Sequence, residues 1–538
     1  MRIIGIVAVL LLSACSTEVS ETPHAAGPPA TGGRLTFAVD SEDACLDPHV
    51  SPADIVGELQ RNVFDSLVAR AQDGSFVPWL ATSWQIADGG REYTFALRHD
   101  VKFFDGTAFT AAAVQANLDH IVAPATKSQY AASLLGPYAG TDLIDDYTVR
   151  IRFTAPYAPF LQAASTSYLG MYAPAVLAEH PDKLCGGGRF AVGSGPFREV
   201  EVRRGQGITF VRNEAYDWAP ATARHTGRAY LDQIEVRYLT EDAVRTGALR
   251  GGGVDLIART PPVDVADLGR DRKYQLLRRD SPGVPYSLFF NQSRPPFSDI
   301  RARQAVVAAL DLTGMIDSIY FGEYARAYEP LSPTTPGAGG CADARSGFAL
   351  ATANRLLDEL GYLGRDAKGY RIRDGRRFTI AFPWASNAER ESRELISQAV
   401  QEDLKKVGVE VRLEPVDYGT HLTRVYAGDY DLIGVSWARA DPDILATLYQ
   451  SDRLPAQGGA NVGGVHDPQL DLLLAQGRSS TDAAQRLGIY RQAQQRILNQ
   501  AYSLPVYVSA GAYTAGPRVR GFGVDTNGWS DFYDTWIE

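Results

Sequence analysis

Residues that bind metals or form redox sites are scarce in this sequence. It contains four Cys and eight His among 538 residues. The His are scattered without the short spacing of a zinc site, and no Cys-x-x-Cys pair is present. We therefore predict neither a metal site nor a bound cofactor.

Sequence motifs that commonly mark enzymes are also missing. The chain has no Gly-x-Ser-x-Gly elbow, no Gly-x-x-x-x-Gly-Lys phosphate loop and no His-Glu-x-x-His motif. We predict no catalytic residues. A glycosidase can hold its two carboxylates far apart in sequence, so a hydrolase stays open as an alternative that predicts turnover.

Positive charge is in deficit. Lys and Arg number 53 against 63 Asp and Glu, which gives a net charge of −10 and a pI of about 5.4. An acidic chain of this kind is not expected to bind nucleic acid, because a nucleic-acid partner requires a basic face.

The length exceeds the usual size of one domain, so two or more domains or lobes are expected.

Long apolar runs are absent after the N-terminus. The segment Ile3–Leu12 has about half of the roughly 20 residues that span a bilayer. Its positive start and small-residue end are typical of a secretory signal, and Leu12-Ser13-Ala14-Cys15 resembles the bacterial lipobox. We predict a signal peptide over 1–14, a lipid on Cys15 and a flexible spacer over 15–33. The alternative is an ordinary signal peptide with an incidental Cys.

The remaining cysteines bear on disulfide formation, because an exported protein works where disulfides persist. If Cys15 carries lipid, Cys45, Cys185 and Cys341 remain. They permit one bridge with one free thiol, or no bridge. The sequence does not select the pair.

Strand-like and helix-like segments alternate along most of the chain, which indicates α/β architecture. Ser298 is the predicted N-cap of one helix, and Gly408 is predicted to end another. The clearest predicted elements are strands over Arg34–Val39, Tyr93–Leu97, Thr148–Phe153 and Tyr430–Gly434, helices over Ser298–Asp311 and Asp482–Gln500, and a β-α-β unit over Phe378–Leu413.

Several segments resemble a single protein family. The longest runs from Trp84 to Val114, and shorter ones follow in the expected order at Val192–Phe197, Asp299–Asp311 and Gln401–Val411. The family is that of the bacterial extracellular solute-binding proteins of family 5, the peptide, dipeptide and nickel receptors of ABC importers. Most of the matching residues are core or turn positions, such as Gly106 with an expected positive φ. They identify the fold rather than the solute.

The resemblance implies a two-lobed α/β fold, the periplasmic-binding-protein fold of type II, with the ligand cleft between the lobes. Lobe one is expected over 34–281, with an inserted subdomain at about 71–190. Lobe two is expected over 282–503, and the chain then returns to lobe one over 504–538. Hinge closure is expected to trap the solute.

The resemblance also implies a function. The protein is expected to capture an oligopeptide or dipeptide outside the cytoplasmic membrane and to deliver it to the permease subunits of an ABC importer. It is expected to be a monomer, anchored by lipid to the outer face of that membrane or periplasmic. The alternatives are a receptor for a metal chelate or another small charged solute, an exported hydrolase, and an adhesin or signalling subunit that uses the same fold.

Loops after strands are the expected ligand positions, because open α/β lobes bind ligands beyond the carboxyl ends of their strands. Asp40 follows the first strand. Trp384 and Asn387 follow the strand that enters the β-α-β unit. We predict that these three residues contact ligand.

A third such loop adds Trp437, Arg439 and Asp441. It resembles the family segment in which an Asp after the Trp pairs with the amino terminus of a bound peptide, but Ala440 stands at that place here. The guanidinium of Arg439 suits a carboxylate, so we predict that it anchors an anionic group and that Asp441 meets an amine. The alternatives are a core role for Trp437 and a helix cap at Asp443.

Overall fold

The computed structural model describes residues 28–341, 347–386, 390–457 and 459–538. The predicted signal peptide, Cys15, most of the predicted spacer and Asn387 lie outside the described residues. No helix within these ranges is both long and apolar enough to cross a membrane.

The chain over 34–179 forms one strand of a large sheet, a small hairpin and a four-stranded sheet. Its elements are β1 (Arg34–Val39), α1 (Asp54–Gln60), β2 (Val68–Arg70), β3 (Phe76–Pro78), β4 (Ala81–Ala87), β5 (Glu92–Leu97), α2 (Ala111–Val122), α3 (Ala131–Leu135), β6 (Tyr138–Asp145), β7 (Thr148–Phe153), α4 (Phe160–Ala163) and α5 (Pro174–Glu179). The four-stranded sheet is antiparallel in the order β4-β5-β7-β6. In β5 and β7 buried residues alternate with half-exposed ones, as in a sheet with one covered face.

The next segment supplies more strands of the large sheet. Its elements are β8 (Phe197–Arg203), β9 (Gly207–Arg212), β10 (Gln233–Tyr238), α6 (Asp242–Arg250), β11 (Leu256–Ala258), α7 (Pro262–Arg270) and β12 (Gln275–Asp280).

The segment over 283–507 builds the second body of the molecule. Its elements are β13 (Gly283–Phe290), α8 (Ile300–Ala309), α9 (Leu312–Tyr320), α10 (Leu350–Glu359), β14 (Gly364–Arg365), β15 (Arg371–Arg373), β16 (Arg376–Arg377), β17 (Thr379–Ala385), α11 (Arg393–Lys406), β18 (Glu410–Val416), α12 (Tyr418–Ala427), β19 (Leu432–Ala438), α13 (Ile444–Tyr449), α14 (Pro468–Ser479), α15 (Ala483–Asn499) and β20 (Ser503–Tyr507). The C-terminal elements are β21 (Ala510–Ala515), β22 (Val519–Arg520), β23 (Gly523–Val524), β24 (Ser530–Asp531) and β25 (Trp536–Ile537).

The large sheet has seven strands in the order β12-β21-β11-β1-β10-β9-β8. β1 is parallel to both of its neighbours, β10 and β11, and it is buried on both faces. Leu35 and Phe37 join the main core of this lobe, whereas Ala38 packs on the other face against Leu249 and Ile257. A strand covered on both faces reads as a continuous apolar run, which is how it appears in the sequence.

The second lobe contains the predicted β-α-β unit. β17 and β18 pair in parallel, with α11 between them in the chain. Gly408 follows α11 with a φ of +82°, so it ends this helix as predicted. Gly106 in the first lobe has a φ of +86°, which confirms its predicted positive φ.

Two local predictions in this lobe are wrong. The N-cap of α8 is Asp299 rather than Ser298, because the Asp299 carboxylate accepts a hydrogen bond from the backbone N–H of Arg301. β19 continues to Ala438 rather than ending at Gly434, because its last residues keep pairing with β13. Trp437 therefore lies in a strand and not in a loop.

The lobes have separate hydrophobic cores and two connections. The main first-lobe core is built from residues of 35–258 and 513–533, and the second-lobe cores from residues of 284–510. β12 and β21 belong to the seven-stranded sheet, whereas β13 and β20 belong to a three-stranded sheet of the second lobe. The two short crossings are bonded to each other, since Ser281 N–H donates to the carbonyl of Ser509 at 2.8 Å.

The three described cysteines form one bridge. Cys45 is bonded to Cys185 across 140 residues, and Cys341 is free and buried. The bridge joins the loop after β1 to the turn before β8. One bridge with one free thiol was among the arrangements that the sequence left open.

Candidate functional site

A pocket lies between the lobes, directly beside the two crossings, and we call it the cleft pocket. It contains about 570 Å³ of space between atoms, part of which is open to solvent. The crossings contribute Ser281, Pro282 and Ser509. The charged and aromatic lining residues are Asp54, Glu58, Arg259, Tyr513 and Trp529 from the first lobe, and Arg390, Glu391 and Trp437 from the second.

The sheet edge of the first lobe supplies an ion pair. Asp40 follows β1 and Arg259 follows the adjacent parallel strand β11, so both stand at the same edge. The Arg259 guanidinium donates to both Asp40 oxygens at 2.9 and 2.8 Å. Burial would raise the pKa of Asp40, but Arg259 holds it below its usual value. Arg259 also has a φ of +48°, an uncommon conformation for a residue with a side chain.

Glu58 is a carboxylate of the cleft pocket without a cationic partner. Its Oε1 accepts hydrogen bonds from Tyr513 Oη at 2.9 Å and from Ser530 Oγ at 2.6 Å. Burial raises its pKa, against the lowering effect of these bonds and of Arg259. Glu58 forms no ion pair with any residue that the structure describes, so a cationic group of a solute would find an acceptor here.

The start of α11 supplies the charges of the second lobe. Glu391 pairs with Arg393 at 2.6 Å and accepts a hydrogen bond from Tyr507 Oη at 2.6 Å. Arg390 reaches across to Asp54 of the first lobe at 3.5 Å. Glu391 and Ser392 both have positive φ angles, +57° and +52°. Strained conformations of this kind cost about 1–3 kcal/mol each and cluster at functional sites.

Aromatic rings form the remaining walls. Trp437 of the second lobe contacts Tyr130 of the first, with ring centroids 5.7 Å apart. Trp529 packs against Tyr168 at 6.1 Å and over Gly57, where an added Cβ would lie 2.7 Å from the Trp529 ring. Glycine at 57 thus leaves room for Trp529. Together the cleft pocket offers paired charges, an unpaired carboxylate and flat apolar surfaces.

The predicted ligand residues occupy different places. Trp437 lines the cleft pocket, and Asp40 stands behind Arg259. Trp384 is half-buried within β17 and is not among the residues that line the cleft pocket, and its Nε1–H lacks a hydrogen-bond partner among the described residues. Asn387 lies outside the described residues. Contact of these residues with a solute stays a prediction.

Arg439 and Asp441 belong to a buried ionic cluster instead of the cleft pocket. Asp441 pairs with Arg486 at 2.7 Å, and Asp443 pairs with Arg478 at 3.1 Å. The Arg439 side chain is 1% exposed and lies 3.8 Å from Asp443. Its Nε and Nη2 lack hydrogen-bond partners within the described ranges. Its predicted contact with a solute is untested.

The alternative role predicted for Asp443, an N-cap of the following helix, agrees with its position but not with its hydrogen bonds. Asp443 occupies the N-cap position of α13, but its side chain makes no capping hydrogen bond. It accepts hydrogen bonds from Arg478 and Tyr490. Asp441 accepts a hydrogen bond from the backbone N–H of Asp443 at 2.8 Å, so the turn is held by the earlier carboxylate.

Sequence reasoning missed most of the lining residues. The position of Arg259 could have been predicted from the strand order. It follows β11, which is parallel to β1, the strand before Asp40, so the two residues lie at the same edge of the sheet. Glu58 lies within a helix, and Tyr513 and Trp529 come from the C-terminal return, so no local pattern marks them. No group of three His, Cys, Asp or Glu that could hold a metal ion is found in the part of the chain that the structure describes.

Two lobes with separate cores, joined by two bonded crossings and sharing a charged pocket, define a two-lobed solute-binding fold. Residues 75–456 match the profile of the bacterial extracellular solute-binding proteins, family 5 Middle, and the chain belongs to this family. The predicted family and fold class are confirmed.

Individual relatives match between 82% and 99% of the chain. Heme-binding protein A of Haemophilus influenzae is 28% identical over 99% of this chain and 98% of its own length. The probable D,D-dipeptide-binding periplasmic protein DdpA of Escherichia coli is 26% identical over 82% of this chain and 81% of its own. The crystal structure of NikA from Brucella suis with Fe(III)-EDTA is 27% identical with a TM-score of 0.80, covering 94% of this chain and 100% of that one.

Proposed function

We propose that this protein is the solute receptor of an ABC importer and that its solute is a short peptide. The observation that supports a peptide is the mixed charge of the cleft pocket. Glu58 has no ion-pair partner among the described residues, and Arg390 is held loosely, 3.5 Å from Asp54 and 3.4 Å from Ser436. A zwitterion complements both groups, with its ammonium toward Glu58 and its carboxylate toward Arg390.

The aromatic walls support the same solute. Trp437 and Trp529 bring flat apolar surfaces to the cleft pocket from opposite lobes. Such rings pack well against planar peptide groups and apolar side chains. Such a pocket would accept many peptide sequences, because it contacts the charged ends of the peptide and the flat groups between them.

The proposal includes closure of the lobes around the solute. The crossings at 281–282 and 508–509 support a hinge there, and with it the lobes proposed over 34–281 and 282–503 with a return over 504–538. A solute that contacts both lobes binds the closed form more tightly than the open form. This difference in affinity shifts the protein population towards the closed form.

We also propose where the protein is located. A lipid on Cys15 and the spacer after it would hold a monomer at the outer face of the cytoplasmic membrane, next to its permease. Support for this part comes from the lipobox-like sequence. A receptor of this kind binds its solute one to one and leaves it unchanged, which distinguishes it from a hydrolase.

A small charged solute or a metal chelate is the second candidate. The observation that favours it is the pair of guanidinium groups, Arg259 and Arg390, at a pocket of limited size. The similarity to NikA, whose crystal structure holds Fe(III)-EDTA, points in the same direction.

A peptide panel tests the proposal. The purified exported protein is screened by thermal shift with di-, tri- and tetrapeptides, and the best peptide is titrated by calorimetry. We expect one-to-one binding, about tenfold weaker in Trp437→Ala because an aromatic wall is lost. Trp84→Ala, which removes a ring outside the cleft pocket, is the control. Cleavage of the peptide would contradict the receptor, and a shift with chelates alone would favour the second candidate.

A further inference from the structure

A second cavity lies in the first lobe beside the cleft pocket, and we call it the side pocket. It contains about 890 Å³ of space between atoms, part of it open to solvent. The C-terminal segment separates the two cavities, because Trp529 faces the cleft pocket while Asp525 and Phe532 face the side pocket. Ala440 closes the side pocket from the second lobe.

One side of the side pocket is aromatic and well packed. Arg61 lies over the Trp79 ring at 5.0 Å and donates to the carbonyls of Phe64 and Ser165. Tyr216 lies against Tyr533 with centroids 5.5 Å apart. The rings of Trp79, Tyr216 and Tyr533 are held by their neighbours and form an aromatic wall, on which the Arg61 guanidinium is stacked at Trp79.

The other side carries polar groups whose bonding capacity is unused. Gln162 is 4% exposed, and its Oε1 has no hydrogen-bond partner among the described residues. A buried acceptor without a partner is destabilising, so a donor at this point would be stabilising. Arg70 forms no ion pair or hydrogen bond with the residues described, and burial lowers its pKa.

Asp525 lines the side pocket together with Arg70. Asp441 and Asp525 both attract Arg70, but neither forms an ion pair with it among the described residues. Asp525 accepts hydrogen bonds from the backbone N–H of Asn527 at 2.7 Å and of Trp529 at 3.0 Å, which fix its carboxylate. A small molecule with one positive and one negative group would therefore find a partner of opposite charge in each of these two residues.

We propose that the side pocket binds a free α-amino acid with an aromatic or other apolar side chain. Its carboxylate pairs with Arg70, its ammonium donates to Asp525 and to Gln162 Oε1, and its side chain packs against Trp79 and Tyr216. The site is independent of the solute that the cleft pocket takes.

Calorimetric titration with L-phenylalanine tests this proposal on the exported protein. We expect saturable binding that is weakened at least about tenfold in Arg70→Gln, because a charge-assisted bond is lost. Gln162→Leu, which leaves the charges intact, is expected to weaken binding as well. Arg270→Gln removes a guanidinium from a side chain that is 81% exposed and is the matched control, with unchanged affinity.

Two analogues test the pairing of charges. L-Phenylalaninol lacks the carboxylate and 3-phenylpropionate lacks the ammonium, so both are expected to bind more weakly than L-phenylalanine. Absence of L-phenylalanine binding to the wild-type protein would overturn the proposal. Binding that Arg390→Gln weakens, while Arg70→Gln and Gln162→Leu do not, would place the amino acid in the cleft pocket and would also overturn it.

Discussion

Glu391 connects the start of α11 to the end of β20, the strand that precedes the second crossing. Its carboxylate pairs with Arg393, and the two side chains are 11% and 12% exposed. Tyr507 Oη donates to the same carboxylate at 2.6 Å. Burial alone would raise the pKa of Glu391, but Arg393, Arg390 and the Tyr507 hydrogen bond lower it to about 2.

This pKa predicts how stability depends on pH. The value in the folded protein lies below the ordinary value of 4.5, so the stabilisation is complete above that pH and is lost as the pH falls towards 2. The difference corresponds to about 3 kcal/mol, of which about 2 kcal/mol is lost between pH 7 and pH 3. Glu391→Gln also leaves Arg393 buried without its partner, so we expect a loss of about 3–5 kcal/mol at pH 7.

Urea denaturation of the wild type and of Glu391→Gln at pH 7 and pH 3 measures this effect. The gap in free energy of unfolding is expected to shrink by about 2 kcal/mol at the lower pH, because at pH 3 the Glu391 carboxylate of the unfolded wild-type chain is protonated, whereas the folded protein keeps it ionised. Glu402→Gln, on the same helix with a side chain 66% exposed, is the control and should stay within about 0.5 kcal/mol of wild type. A gap that is the same at both pH values would refute the reasoning.

Three further predictions address the bridge, the cations and the anchor. Replacing Cys45 and Cys185 by Ala opens a loop of 140 residues and is expected to lower the free energy of unfolding by about 3–5 kcal/mol in urea denaturation. Arg390→Gln is expected to weaken solute binding about tenfold in calorimetry. Arg439→Gln tests the prediction that Arg439 anchors an anionic group of the solute, and an unchanged affinity would contradict that prediction. Cys15→Ala is expected to release the protein from membranes in cell fractionation, whereas continued membrane association would indicate another anchor.

Local patterns were enough to predict much of the fold. The β-α-β unit around α11 and the helix α15 show their periodicity within single segments, and Gly408 and Gly106 mark their turns by conformation. The extent of β19 was not predictable in this way. Its last residues are strand because β13, about 150 residues earlier, continues to pair with them.

The site was less predictable because its geometry depends on distant partners. Arg439 and Asp441 follow a strand, where ligands commonly bind, yet Asp441 is paired with Arg486 from a helix 45 residues later. Glu391 enters the cleft pocket through a backbone conformation that no residue type signals. Trp437 was singled out from its place in the family segment, with a core role as the alternative; it lines the cleft pocket, but from within β19 and not from a loop.

Native mass spectrometry of the exported protein, purified gently from cells, identifies the bound solute. We expect a co-purified set of masses that match short peptides, with one peptide per protein molecule. A single non-peptide mass, or a mass that carries a metal, would contradict the peptide and favour the small charged solute.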